Sequence, residues 1–336
     1  MKAFMTVMFS AVLAVLLAGC GRQEKSEVIE LSYANFPPPE TFPCVQMERW
    51  KEEVEKRSGG RIRIKTYPGG TLLGAKEIYD GVVAGTAAIG NFAMSYQPGR
   101  FPVSEAVDLP HFFASSKIAS RRLAEMLKQE NPAEFAEVKI LTAFTCPPGV
   151  IMSAKPVESV TDLKRSPLRS SGTSLEALKL LGAAPVAMPQ SDVPDALHKG
   201  VISGIVSSGE VMKDMNYAAY CKNVVEARLP VISFAVVMNR KRWDALPEDL
   251  KKILDDLYLE QADWTGAYVD QHVQDAFQWS KDTHQVQIRQ LTDEELASVR
   301  ERLAPMMDSY VKRVAAKGID GQKLIQFLQA GQEAAK

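Results

Sequence analysis

Apolar and polar residues alternate along 28–35 (VIELSYAN) and again along 61–67 (RIRIKTY), the two-residue period of a strand with one covered face. Between them the spacing predicts a helix ending near Arg57, with Val45, Trp50 and Val54 inward and Ser58-Gly59-Gly60 stopping it. A second helix is predicted over 75–84, with Ile78, Val82 and Val83 on one face, followed by a buried strand over 87–92. This β-α-β-α-β order implies a mostly parallel sheet covered by helices on both faces. A further strand is expected over 139–144. The run Cys146-Pro147-Pro148-Gly149 then excludes regular structure and reads as a crossing into a second unit.

The second unit repeats the logic. Strands are expected over 150–153, 168–170, 184–187 and 201–207, with helices over 173–181 and from a Ser191 cap to Lys199. The apolar run 234–239 (FAVVMN) leads back to the first unit. From Pro247 to about 283 there is no further proline, and apolar residues recur at helical spacing from Leu250 to Phe277. Such a helix runs about ten turns, or about 50 Å, far beyond the usual length of about 11 residues. It is long enough to lie across two domains and tie them together, and Gly266 is the one place where it could break. Thr292 with Glu295 starts a capped helix ended by Gly318, and Asp320 caps a last one. The predicted fold class is α/β: two α/β domains joined by a long spanning helix. Domain I covers 28–146 plus about 235–275, and domain II covers 147–234 plus about 276–336.

The first residues differ from the rest. A positive start at Lys2 precedes an uncharged, mostly apolar stretch over 3–19 that ends in Leu17-Ala18-Gly19-Cys20, the layout of an export signal. Residues 1–19 are thus expected to be a signal peptide and 20–27 a polar tether. The Leu-Ala-Gly-Cys ending resembles the bacterial lipobox. That resemblance implies acylation of Cys20 and anchoring of the chain to a membrane by its lipid, with the mature protein in the periplasm. A net charge of −1 gives no basic excess, so nucleic acid is not an expected partner. Cys44, Cys146 and Cys221 remain; export permits at most one disulfide among three, and small buried thiols are the other reading.

No nucleophile elbow, P-loop, dinucleotide fingerprint or Cys-x-x-Cys occurs, and His111, His198, His272 and His284 have no partner at metal-ligand spacing. Neither a cofactor nor a metal is expected, and the chain reads as a binding protein rather than an enzyme. One constellation could hold a small molecule. Arg169 stands at the end of a predicted parallel strand, and the hydroxyl-rich stretch 170–174 opens the next helix. An arginine fork suits a carboxylate, and ligands of open α/β sheets sit at the carboxyl ends of the strands. The same residues would equally serve an ordinary ion pair and an ordinary helix cap.

Several segments in order resemble the substrate-binding subunit of tripartite ATP-independent periplasmic (TRAP) transporters. They are SGGRIRIKTYPGGTLLG at 58–74, GRFPVSEAVDLPHFF at 99–113, VTDLKRSPLRS at 160–170, LGAAPVAMPQSDVPDAL at 181–197 and MNRKRWDALPEDLKK at 238–252. The resemblance covers roughly 29–330. It implies a periplasmic-binding-protein-like pair of lobes closing on ligand in the cleft between them, with small and large membrane subunits as partners and a small organic carboxylate as cargo. The family's carboxylate-clamping arginine falls on Arg169. Other contacts fall near Asn35 and Phe36, near Asn91 and Phe92, at Ser170 and Ser207, and by position at Phe234.

The chain also departs from that pattern. Where members commonly read Val-Asp-Gly-Gln-Glu-Asn, this chain reads Ile202-Ser203-Gly204-Ile205-Val206-Ser207, and the acidic and amide groups are gone. Sialic-acid binders carry a second arginine in the crossing strand, near Gly149 here. A less polar monocarboxylate is therefore expected, aromatic if Phe36, Phe92, Tyr96 and Phe234 line the cleft rather than a core. A ligand sensor or an exported hydrolase or isomerase on the same scaffold are the competing readings.

Overall fold

A computed structural model describes residues 28–330. Residues 1–19, Cys20 and the whole tether lie outside the described residues. Eleven strands follow one another: β1 (Ile29–Asn35), β2 (Ile62–Tyr67), β3 (Ile89–Ala93), β4 (Val138–Thr145), β5 (Gly149–Ser153), β6 (Pro167–Ser170), β7 (Ala184–Ala187), β8 (Gly204–Ser207), β9 (Asn223–Leu229), β10 (Ser233–Asn239) and β11 (Gln287–Gln290). They form two sheets, ordered β2-β1-β3-β10-β4 and β11-β9-β5-β8-β6-β7. Each sheet is parallel apart from one strand: β10 runs against β3 and β4, and β5 runs against β8 and β9.

Those two odd strands arise from the crossings. The chain leaves the first sheet by β4, passes Cys146-Pro147-Pro148 and enters the second as β5. It returns from β9 through Pro230-Val231-Ile232 into β10. The outward and return strands lie side by side, paired in both sheets. Prolines cannot donate to a ladder, so the pairing is interrupted at the crossing itself. Two bonds, from the Cys146 N–H to the Ile232 carbonyl at 2.9 Å and from the Ile232 N–H to the Cys146 sulfur at 3.1 Å, hold the two strands together there.

The predicted tie helix is unbroken from Glu248 to His284, about 55 Å at 1.5 Å per residue. Leu250, Leu254 and Leu257 enter the core of the first lobe beside Trp50 and Trp243, whereas Val273 and Phe277 enter that of the second beside Met212 and Tyr217. Gly266 does not break it. A Cβ there would stand 2.5 Å from the Lys117 Cα, so the glycine admits the helix Ser116–Glu130, which crosses at that point. Four residues on, Asp270 accepts from the amides of Ser116 and Lys117 at 2.7 and 3.0 Å and closes the start of the same helix.

The end of the chain departs from the expected division. Tyr310, Val314, Leu324, Ile325 and Leu328 lie in the core of the first lobe, not the second, and the helix expected over 292–318 is split at Pro305. Chain order alone does not reveal this return, because Asp293–Leu303 still packs on the second lobe through Val299 and Leu303. The capping box at Thr292 forms as expected. Ser191 caps nothing: the helix Val193–His198 begins at Asp192, and the Ser191 hydroxyl donates to that carboxylate instead. All three described cysteines are buried and free, Cys44 donating to the Pro37 carbonyl. Burial pushes the Cys44 and Cys221 thiols up to about 12, as befits small apolar filler.

Candidate ligand-binding cleft

Between the lobes, at the crossing, lies a cleft with about 60 Å³ of free space. Its two walls differ in chemistry. The first lobe contributes Phe36, Phe42, Ala93, Tyr96 and Phe234; the second contributes Arg169, Gln190, Ser207, Ser208, Glu210 and Asp214. The aromatic wall is built layer by layer. Phe36 stacks on Phe234 at 6.5 Å between centroids and 8° between planes, and Phe234 stacks in turn on Phe144 beneath it at 5.4 Å. Tyr96 meets the edge of Phe36 at 5.5 Å. Offset aromatic pairs of this kind hold a flat apolar face rigid.

Arg169 is the anchor of the polar wall. It lies at the carboxyl end of β6, is 1% exposed, and has no acidic partner among the described residues. Its Nε and Nη2 both donate to the Met188 carbonyl, at 3.0 and 2.8 Å, which fixes the plane of the guanidinium. Nη1 is buried with no acceptor. Five N–H donors minus two leaves three, enough for both oxygens of a carboxylate. A buried cation without counter-ion is costly, and the free edge of this guanidinium is suited to an anion.

The sequence-predicted site residues divide into two sets. Phe36, Arg169, Ser207 and Phe234 line the cleft together. Asn35, Asn91, Phe92 and Ser170 do not. Successive residues of a strand point to opposite faces, so Asn91 and Phe92 cannot both face the ligand. Phe92 turns into the first lobe's core against Tyr79 and Phe101, with centroids at 5.3 and 5.2 Å. Asn35 and Asn91 are wholly buried. The Asn91 amide donates to the Asn35 carbonyl oxygen at 3.0 Å, and Asn35 donates to the Pro43 carbonyl, a bracket that holds the loop carrying Phe36. The Ser170 hydroxyl donates across the sheet to the Val206 carbonyl.

A second correction concerns polarity. The acidic and amide groups expected to be missing are present, supplied by other positions. Gln190 precedes the helix Val193–His198, and Glu210 and Asp214 follow the end of β8. Glu210 is 3% exposed; its Oε1 accepts from the Ser208 hydroxyl at 2.6 Å, and burial pushes its carboxyl up to about 7. Asp214 pairs with His272 of the tie helix at 2.8 Å, and this bond raises the imidazole pKa. The end of β8 beside β6 is as much a ligand-binding edge as the end of β6 itself, and reading the two edges alike would have found Glu210.

The lobes touch on one side of the cleft. The Ser95 and Ser171 hydroxyls are 3.3 Å apart, and the Thr173 hydroxyl donates to the Asp108 carbonyl. The main-chain N–H of Gln190 donates to the Tyr96 hydroxyl at 3.1 Å. A space of 60 Å³ is under half of the roughly 150 Å³ that takes a benzene, so a ring-sized ligand requires these contacts to part.

Residues 33–313 match bacterial extracellular solute-binding protein family 7 (DctP). The chain belongs to this family. It is a DctP-type substrate-binding subunit of a TRAP transporter, as its order of segments suggests. Among solved structures it is similar to a TRAP periplasmic solute-binding protein from Desulfovibrio salexigens, at 44% identity over 90% of this chain and 95% of that one, with a TM-score of 0.83. It is also similar to a TRAP solute-binding protein from Rhodoferax ferrireducens in complex with copurified benzoate, at 27% identity, with 91% and 98% coverage and a TM-score of 0.87. Among curated relatives, the C4-dicarboxylate-binding periplasmic protein DctP of Rhodobacter capsulatus is 27% identical over 308 residues, 89% of this chain and 91% of that protein. Family 7 subunits are periplasmic solute binders, and the two-lobed α/β fold is theirs.

Proposed function

We propose that this subunit captures a monocarboxylate with a flat apolar body, aromatic in its simplest form, and delivers it to the small and large membrane subunits of its transporter. The observation that carries this reading is Arg169: a buried guanidinium, oriented by Met188, with a free edge in the cleft and no acid to pair with it. Arg169 holds the carboxylate, Ser207 stands beside it, and Phe36 and Phe234 stack on the body of the ligand. The relatives point in two directions, benzoate in one and C4-dicarboxylates in another. The cleft favours the first. Arg169 is the only cation among the described residues that line it, and Glu210 and Asp214 would repel a second carboxylate. No catalytic step is assigned to these groups. The cleft offers a binding surface, with an aromatic wall facing a polar one.

A thermal-shift screen tests the reading. Benzoate, phenylacetate and mandelate are expected to raise Tm, and succinate and malate to leave it unchanged, because binding to the native state alone stabilises by about 2.7 kcal/mol at a hundred times Kd. The largest shift from succinate or malate would refute the monocarboxylate assignment.

The same proposal places the protein at a membrane surface through a lipid on Cys20, supported by the Leu17-Ala18-Gly19-Cys20 sequence. Among the described residues no helix is long and apolar enough to cross a membrane. Cys20→Ser is expected to move the protein from the membrane fraction to the soluble one or to leave an unprocessed precursor. Mass spectrometry that finds a mature N-terminus other than an acylated Cys20 would remove the anchor.

A further inference from the structure

Ten side-chain polar atoms among the described residues are buried without a hydrogen-bond partner, and four of them belong to residues that line this one cleft. Two are donors, Arg169 Nη1 and Gln190 Nε2. Two are acceptors, Glu210 Oε2 and Asp214 Oδ2. Buried polar groups are otherwise satisfied almost everywhere, so such a concentration marks atoms whose partner is a ligand. Donors alone would describe a site for a bare carboxylate. The acceptors describe a second end to the molecule.

Glu210 is the better placed of the two acceptors. Its other oxygen is already fixed by the Ser208 hydroxyl, so the free one has a defined position. The turn that carries it is seated on the tie helix. A Cβ on Gly209 would lie 2.4 Å from the Phe277 ring and 3.0 Å from Val273, and the missing side chain lets the turn settle there. Asp214 stands behind, held by His272. Glu210 and Arg169 line the same cleft and form no ion pair with one another, so each keeps a free atom for a ligand.

We propose that Glu210 is a second recognition residue of the cleft, its free oxygen accepting a hydrogen bond from a hydroxyl or amino group that the ligand carries away from its carboxylate. The cargo is then a donor-bearing carboxylate: Arg169 and Gln190 take the acid, Glu210 takes the donor, and the aromatic wall of the first lobe covers the flat body between. This rests on the carboxylate reading of Arg169 and adds the polarity of the other end. Burial raises the pKa of the Glu210 carboxyl to about 7, so the acceptor role requires the ligand to favour the ionised form. A bound hydroxyl or amine replaces the water that burial removed and favours the ionised form.

The test is calorimetric binding of benzoate, 3- and 4-hydroxybenzoate and 3- and 4-aminobenzoate to the full chain and to Glu210→Met. The variant keeps the length of the side chain and removes both oxygens. At least one hydroxyl or amino compound is expected to bind the unaltered protein about tenfold or more tightly than benzoate, since a hydrogen bond to a charged group is worth at least that factor. In Glu210→Met this preference should vanish. The preference in the unaltered protein is readable even if the variant fails to fold, and Glu210→Gln, of nearly identical shape, gives a second reading. Benzoate bound as tightly as all four substituted compounds, or a preference that survives both substitutions, overturns the role of Glu210 and leaves the carboxylate site intact. Failure of all five compounds to bind overturns the carboxylate reading, and the Glu210 proposal with it.

Discussion

Arg169→Met should weaken carboxylate binding about a hundredfold or more. A charge-assisted hydrogen bond is worth about 1.5–3 kcal/mol, each 1.4 kcal/mol is tenfold, and the free edge of this guanidinium can make two such bonds. Arg169→Lys should lose nearly as much. An ammonium is a point charge at the end of a flexible stem, and it cannot hold the Met188 carbonyl and meet two carboxylate oxygens in one plane. The ligand-free protein behaves differently. Removing the arginine forfeits two hydrogen bonds to Met188 but also removes a buried charge that lacks a counter-ion. These are opposing terms of a few kcal/mol each, so the ligand-free Tm should move by only a few degrees. Titration calorimetry and melting curves on the same samples separate the two effects. Unchanged affinity in Arg169→Met would exclude this residue as the carboxylate anchor.

Gly266→Ala should destabilise the protein, against the rule for helices. In an isolated helix alanine is favoured by about 1 kcal/mol. Here the added methyl would stand 2.5 Å from the Lys117 Cα, 2.8 Å from its nitrogen and 2.9 Å from the Ser116 carbonyl oxygen. All three are backbone atoms and cannot rotate aside. Forcing the helices apart costs about 1–3 kcal/mol, and it also strains the Asp270 bonds to the Ser116 and Lys117 amides one turn away. A net loss of about 2 kcal/mol lowers Tm by about 3 °C in a protein of this size. Ala262→Gly, one turn earlier on a buried face, should cost about 1 kcal/mol through propensity and about another 1 kcal/mol through the buried methyl it loses, and provides the comparison. If Gly266→Ala melted higher than the parent, the close approach would not govern this crossing.

Much of the fold was legible because its signals are local. The alternation over 28–35 and 61–67, the proline pair at 147–148, and the apolar spacing from Leu250 to Phe277 each name an element without help from the rest of the chain. Sequence periodicity also carries the helix Ser116–Glu130, with Ala119, Leu123, Met126 and Leu127 on one face, which the reading above does not assign. What local pattern could not give is destination. Tyr310 and Leu328 are ordinary amphipathic residues, and nothing near them in sequence says which lobe they cover. The cleft follows the same division. Arg169 is visible because charge at a strand end is unusual. Phe92 and Phe234 look alike as sequence, and only the facing of their strands sends one into a core and the other to the cleft. Gly266 read as a weak point of the tie helix is, in three dimensions, the reason the helix can pass.

The antiparallel passage of β4–β5 beside β9–β10 has a mechanical consequence. A lone strand joining two bodies lets them swivel about its length, whereas two strands laid flat against each other, bonded on either side of a proline break, bend across the ribbon and resist torsion. The tie helix, rooted in both cores, removes sideways shear. What remains is close to one degree of freedom, like a book on its spine. The aromatic page then meets the polar page in the same register at every closure. If the cleft takes the ligand proposed for it, selectivity rests on whether that molecule matches both pages at once, rather than on how either page adjusts to it.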